Sequence, residues 1–265
     1  MSPRSVFITG CNRGIGLQLV KQYLSLPRTR HVLATYRREE RSEELLELAT
    51  TSPSLHPLQL ELTDWASLPT LPARVEAVVG EAGLNLLVHN AGVLPARRGL
   101  EGLTAEDMLE AYSTNCVAPL LLSRALLPLL QRAVGQGGPG PGVARAAILT
   151  ISTSCASIAG NNTPYSCSAS TSSSTSKGFD KRGLYAYRCS KAAMNMGMRS
   201  LALDLVREGV LVAAVHPGWV ASDMGGPEAR LTTLQAAAAL VEAFARLTGE
   251  DQGKFLRSDL TPLPW

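Results

Sequence analysis

Short apolar runs alternating with longer amphipathic stretches leave few folds open to this chain. Seven runs read as strands, at 5–9, 31–35, 55–60, 84–89, 146–151, 210–215 and 254–256. Helical periodicity fills the intervals, at 14–26 (where Pro27 ends it), 39–49, 64–80, 104–112, 116–133, 185–207 and 229–247. A helix after each strand returns the chain to the same end of the sheet, so the strands pair in parallel with helices on both faces. The expected fold class is therefore α/β, a doubly wound (Rossmann) parallel sheet of seven strands. With 265 residues, 45% of them hydrophobic, residues 1–265 suit one domain with a full core better than two small ones.

Two stretches stand outside the alternation. The GQGGPGPG segment at 135–142 has the glycines and prolines of a surface loop. The polar SCSASTSSSTSKG stretch at 166–178 is too poor in apolar residues to pack by itself, so a flexible insertion is expected at about 162–184. Such a segment can serve as a lid that selects substrates, decorate the surface, or obstruct a cleft.

The formal charge of +3 is spread along the chain, with dense basic points only at Arg37, Arg38 and at Arg97, Arg98, which gives no reason to expect nucleic acid as a partner. Five cysteines, an odd number with no CxxC pair, fit reduced thiols and a cytoplasmic protein. The first strand begins within five residues of Met1, which leaves no room for a signal peptide, and no apolar run approaches the ~20 residues that span a bilayer. His31, His56, His89 and His216 are scattered among strands without metal-ligand spacing, so no metal is expected.

Chemistry first shows in TGCNRGIG, where the first strand turns into the first helix. Gly10, Gly14 and Gly16, with Asn12, Arg13 and Ile15 between them, let backbone amides at a helix N-terminus face a pyrophosphate without side chains in the way. A site selective for NAD carries a carboxylate near the end of the second strand. Here that region reads Thr35, Tyr36, Arg37, Arg38, and Arg13 lies in the turn itself. Guanidinium groups in place of a carboxylate would attract a 2′-phosphate, which favours NADP(H). The second signal is Tyr187 and Lys191 in YAYRCSK. Four residues are about one helical turn, so phenol and ammonium share a face, and the cation is expected to lower the phenol pKa toward use as a proton donor and acceptor.

With TGCNRGIG, the NAG at Asn90, Ala91 and Gly92, Asn115, and YxxxK in that order, the chain resembles the short-chain dehydrogenase/reductase family over nearly its whole length. Within it, YAYRCSKAAMNM, HPGWVASDMGG and GKFL resemble the C-factor or sniffer-like carbonyl reductases. The resemblance implies that Asn90, Ala91 and Gly92 pass close to the adenosine ribose, and that Asp64, which also reads as a helix N-cap, touches the adenine. It implies that Pro217 and Gly218 shape a turn, and that Val220 and Ser222 contact the nicotinamide carboxamide, Ser222 replacing the usual threonine. Lys191 would bind the nicotinamide ribose, and Asn115, at a kink between two helices, would hold a water that relays protons to it.

The family's substrate-orienting serine is the second hydroxyl after the fifth strand. Here the text ISTSCAS puts Thr153 at that position, with Ser154 the choice if the loop shifts register and Ser152 on the opposite side if the strand continues. The helix from about Tyr185 continues AAMNMGMRSLALDL, apolar on nearly every side, and the resemblance implies a homodimer through such helices. Together these features predict an NADPH-dependent oxidoreductase that reduces the carbonyl of aldehydes, ketones or quinones. The alternative is an NADP(H)-binding interaction or regulatory protein with weak or lost catalysis, motivated by Thr153 and the insertion.

Overall fold

The computed structural model describes residues 2–95, 99–136, 140–161 and 184–265. Arg97, Arg98, Cys167 and the polar stretch at 162–183 lie outside them, as does the question of what that stretch does. The chain runs β1 (Ser5–Ile8), α1 (Gly14–Leu24), β2 (His31–Tyr36), α2 (Glu43–Thr51), β3 (Leu55–Gln59), α3 (Leu71–Val79) and β4 (Leu86–His89). It continues α4 (Ala105–Tyr112), α5 (Ala118–Val134), β5 (Ala147–Ile151), α6 (Tyr185–Leu205), β6 (Leu211–His216), α7 (Thr233–Arg246) and β7 (Phe255–Arg257). All seven strands pair in parallel in the order β3-β2-β1-β4-β5-β6-β7. The expected doubly wound sheet, in a single domain, is what the chain forms.

The strands are apolar at successive positions because both faces are covered. Val6, Ile8, Val88 and Leu149 face α1 and α7, meeting Val20, Tyr23, Leu240 and Phe244. Phe7, Leu33, Leu87 and Ile148 face the other way, onto Val75 of α3, Leu126 and Leu130 of α5, and Met194 and Met198 of α6. The order reverses between β1 and β4, and a crevice opens at the carboxyl ends of the strands at such a switch point.

Three of the differences from the expected boundaries have a visible cause. Helix α3 begins at Leu71 rather than 64, because Pro69 and Pro72 lack the N–H that an earlier start would need and are tolerated only in a first turn. Helix α7 begins at Thr233, set by a capping box in which Thr232 and Gln235 satisfy each other's backbone N–H. Between α4 and α5 the helix does not stop: Ser113–Val117 forms a π turn, so 105–134 is one helical stretch. By length and composition that stretch is apolar enough to cross a membrane, contrary to the expectation that none would be. Its apolar side chains Leu122, Leu126, Leu129 and Leu130 belong to the core under the sheet.

Candidate active site

A cleft of about 700 Å³ lies along the carboxyl ends of the strands. Its floor at one end is the turn from Gly10 to Gly16. Gly10 has φ +69°, and a Cβ there would lie 2.9 Å from the Ala91 Cα. At Gly16 a Cβ would lie 2.1 Å from the Gly10 carbonyl oxygen. Turn and helix therefore touch backbone to backbone, which only glycine permits. The NAG segment locks the turn: Asn90 Nδ2 donates to the carbonyls of Thr9 and Gly10 at 2.9 and 3.0 Å. In return Thr9 Oγ1 accepts from the amides of Asn90 and Ala91. Helix α1 has no side-chain cap and no acidic residue in its first turn, and the space where a Gly14 side chain would stand is open. Free amides, a positive helix end and an open cradle fit the pyrophosphate of a dinucleotide.

Beyond the turn, Tyr36, Arg37, Arg38 and Arg41 line the cleft at the end of β2. Two cations of the cleft meet carboxylates: Arg37 Nε is 3.8 Å from Glu61 Oε2, and Arg13 Nε is 3.1 Å from Asp223 Oδ2. The second pair joins the glycine turn to the segment after β6. That segment is folded on itself, with Trp219 Nε1 donating to the Gly225 carbonyl at 2.8 Å and Gly225 N donating to Ser222 Oγ. Pro217, Gly218, Val220 and Ser222 all line the cleft, as do Asn12, Arg13, Ile15, Asn90, Ala91 and Gly92. Asp64 does not. Its Oδ1 accepts from Ala66 N in the turn before α3, and Leu60, Glu61 and Leu62 take the cleft wall from that part of the chain.

At the other end Thr153, Tyr187 and Lys191 converge, all buried. Thr153 caps the short helical turn Ser154–Ala156, its Oγ1 accepting from Cys155 N, and it hydrogen-bonds the Tyr187 phenol. Ser154 also lines the cleft. Ser152 points away, its Oγ donating to Asn195 Oδ1 at 2.7 Å, so Thr153 is the hydroxyl beside the phenol.

The electrostatics differ from the spacing argument. Burial pushes the Tyr187 phenol up, the Cys155 thiol adds to that, and only the Thr153 hydrogen bond opposes it. Lys191 does not lower it; its Nζ donates instead to the Ile151 carbonyl at 2.9 Å. Burial brings the ammonium itself down from 10.5 to about 8. Its charge is felt by His89, whose Nε2 lies 2.8 Å from Ser123 Oγ and whose imidazole is lowered to about 3, by burial first and Lys191 second.

Asn115 occupies the π turn, fully buried behind the cleft wall. Its Oδ1 accepts from Val93 N, and Nδ2 donates to the Val93 carbonyl and to Ser190 Oγ. The side chain thus braces the strand-end segment against α6. A Cβ on Gly92 would lie 3.1 Å from Asn115 Oδ1 and 3.6 Å from Lys191 Nζ, so both atoms border the same residue.

Sequence reasoning missed Trp219, Asp223 and Asn195. Trp219 and Asp223 fall in the HPGWVASDMGG wording, but nothing there shows that Trp219 closes the segment on Gly225 or that Asp223 meets Arg13 from the far end of the chain.

Known proteins place this geometry. The family described as short chain dehydrogenase matches residues 4–170 and 169–231. The C-signal protein of Myxococcus xanthus is 31% identical over 69% of this chain and 93% of its own length. Short-chain dehydrogenase srdF of Neurospora crassa is 32% identical over 98% of this chain and 97% of its own. Among solved structures, the carbonyl reductase Sniffer of D. melanogaster is 36% identical, with a TM-score of 0.90 over 99% of this chain and 100% of that one. An NADPH-bound carbonyl reductase from chicken fatty liver is also 36% identical, with a TM-score of 0.89 over 100% of this chain and 95% of that one. The chain belongs to the short-chain dehydrogenase family and is an oxidoreductase by membership.

Proposed function

We propose that the protein reduces the carbonyl group of aldehydes, ketones or quinones with NADPH. The observation that carries this reading is Tyr187, buried, hydrogen-bonded to Thr153, and one helical turn before Lys191 at the mouth of a glycine-floored cleft. NADPH, when bound, supplies a hydride to the carbonyl carbon. Tyr187 then gives its proton to the carbonyl oxygen, and the raised phenol pKa keeps that proton in place at neutral pH until a far more basic alkoxide develops. Thr153 orients the same oxygen by donating its hydroxyl proton. Lys191 holds the nicotinamide ribose, which sets the ring beside the substrate. A water between Asn115 Oδ1 and the Lys191 ammonium, beside Gly92, would return the proton.

Preference for the 2′-phosphate is supported by Arg13, Arg37, Arg38 and Arg41 at the adenosine end, and by the NADPH in the chicken enzyme. Exposed Leu109 and Tyr112 on α4, with Met196 and Leu203 on α6, support a homodimer through the face these two packed helices share. The four described cysteines are unpaired, which supports a reducing, cytoplasmic setting.

Purified protein should oxidise NADPH when given a reactive carbonyl panel. Tyr187→Phe should abolish turnover while binding NADPH within about threefold of wild type. Wild-type protein that binds NADPH but turns over none of the panel would instead favour the non-catalytic reading.

A further inference from the structure

Three consecutive turns of α6 each grip one of three consecutive residues at the end of β5. Tyr187 meets the Thr153 hydroxyl, Lys191 Nζ the Ile151 carbonyl at 2.9 Å, and Asn195 Oδ1 the Ser152 hydroxyl at 2.7 Å. Spaced four residues apart, these side chains stand on one helix face. The first two are assigned to the chemistry; the third has no role there. We infer that Asn195 is a positioning residue for carbonyl reduction, acting through Ser152 to hold the Thr153 hydroxyl on Tyr187. The inference rests on the function proposed above.

Ser152 is where the sheet lets go. Its N–H donates to the Val215 carbonyl at 2.8 Å, beyond the last register pair, Ile151 with Val215. The next residue, Thr153, is already the cap of the Ser154–Ala156 turn, in extended backbone with φ −151° and ψ 144°. The orientation of the peptide between them is therefore set by side chains. The Ser152 hydroxyl, buried and bonded to Asn195, fixes one end, and Thr153 follows from the other.

Asn195 is an expensive choice if packing were its purpose. It is 3% exposed between Met194 and Met198, and among the described residues its Nδ2 has no hydrogen-bond partner. A buried amide donor left unmatched disfavours the folded state, whereas an apolar residue there would not. The oxygen half of the amide is what the site uses.

The test is a cycle of Ser152→Ala, Asn195→Leu and the double variant, measured with NADPH and a carbonyl that wild type reduces. Each single variant should lower kcat roughly ten- to a hundredfold, as small misplacements of reacting groups do, with the NADPH dissociation constant within about twofold. The double variant should be no slower than the slower single, because one bond is lost in all three. The pH dependence of kcat should also shift in the single variants, since Tyr187 loses a partner. Should Asn195→Leu fail to fold, Ser152→Ala, which removes one oxygen, carries the test. In its crystal structure the Thr153 hydroxyl should have left hydrogen-bonding distance of the Tyr187 phenol, a readout that needs no turnover. Single variants with wild-type kcat, losses that multiply in the double variant, or an unmoved Thr153 would overturn the inference. Inactive wild-type protein would overturn the proposed function instead.

Discussion

Gly16→Ala tests the backbone contact under the cleft. The new methyl would lie 2.1 Å from the Gly10 carbonyl oxygen and 2.5 Å from Asn90 Nδ2. Neither neighbour can yield alone, because Asn90 Nδ2 holds that same carbonyl at 3.0 Å and Thr35 Oγ1 accepts from Gly10 N at 3.1 Å. Relief requires α1 to move off the turn by roughly 1 Å or the Asn90 bonds to break. Overpacking of this kind costs about 1–3 kcal/mol, and a lost buried hydrogen bond about 1 more. At about 2–4 °C per kcal/mol for a chain near this size, the melting temperature should fall by roughly 5–15 °C. The same displacement moves the α1 amides from the pyrophosphate, so NADPH affinity, read by fluorescence titration, should weaken at least tenfold. Gly14→Ala is the control: it has φ +62° but nothing within 4 Å of the added methyl, so it should cost only the backbone strain, about 1–2 kcal/mol. If Gly16→Ala melts within 1 °C of wild type, or no lower than Gly14→Ala, the close-contact argument fails.

Lys191→Met should abolish reduction yet stabilise the cofactor-free protein at neutral pH. The ammonium falls from 10.5 to about 8 on burial, so the unfolded chain binds the extra proton between those values. Stability from this group is present above pH 10.5, is lost as pH falls to 8, and amounts to a few kcal/mol. The unpaired Ile151 carbonyl takes back part of that gain. Thermal melts of both proteins from pH 7 to 10 should therefore converge as pH rises; a gap independent of pH would refute the assignment. Thr153→Val, which removes the hydroxyl and keeps the shape, should lower kcat roughly a hundredfold, whereas Thr153→Ser should stay within a fewfold. Equal losses in the two would show that the methyl, not the hydroxyl, matters.

The sheet was legible because seven apolar runs carry their own period, and Tyr187 with Lys191 because a helix turn fixes their spacing. Thr153 was legible as the first choice, but setting it ahead of Ser154 required seeing which hydroxyl meets the Tyr187 phenol. The direction of the phenol's shift was not legible, since sequence spacing says nothing of the burial that raises it. The π turn showed in the sequence only as a break between 112 and 116, because an extra residue shifts the phase of the apolar stripe; that the helix runs through it was not legible. Pro69, Pro72 and the Thr232–Gln235 box, by contrast, were written in the text and set helix starts that periodicity alone placed too early. Asp64, expected at the adenine by resemblance, is not among the residues that line the cleft, whereas Glu61 from the loop after β3 is.

The Arg13–Asp223 bridge has the character of a clasp, not a lock. Both side chains are more than half exposed, so water and salt screen their attraction to well under 1 kcal/mol, and thermal motion parts them continually. An arriving phosphate, carrying more charge than one carboxylate, can draw the guanidinium to itself and leave Asp223 without its tether. Loading at the adenosine end would then loosen the segment that frames the nicotinamide end, which couples the two halves of the crevice through a single arginine.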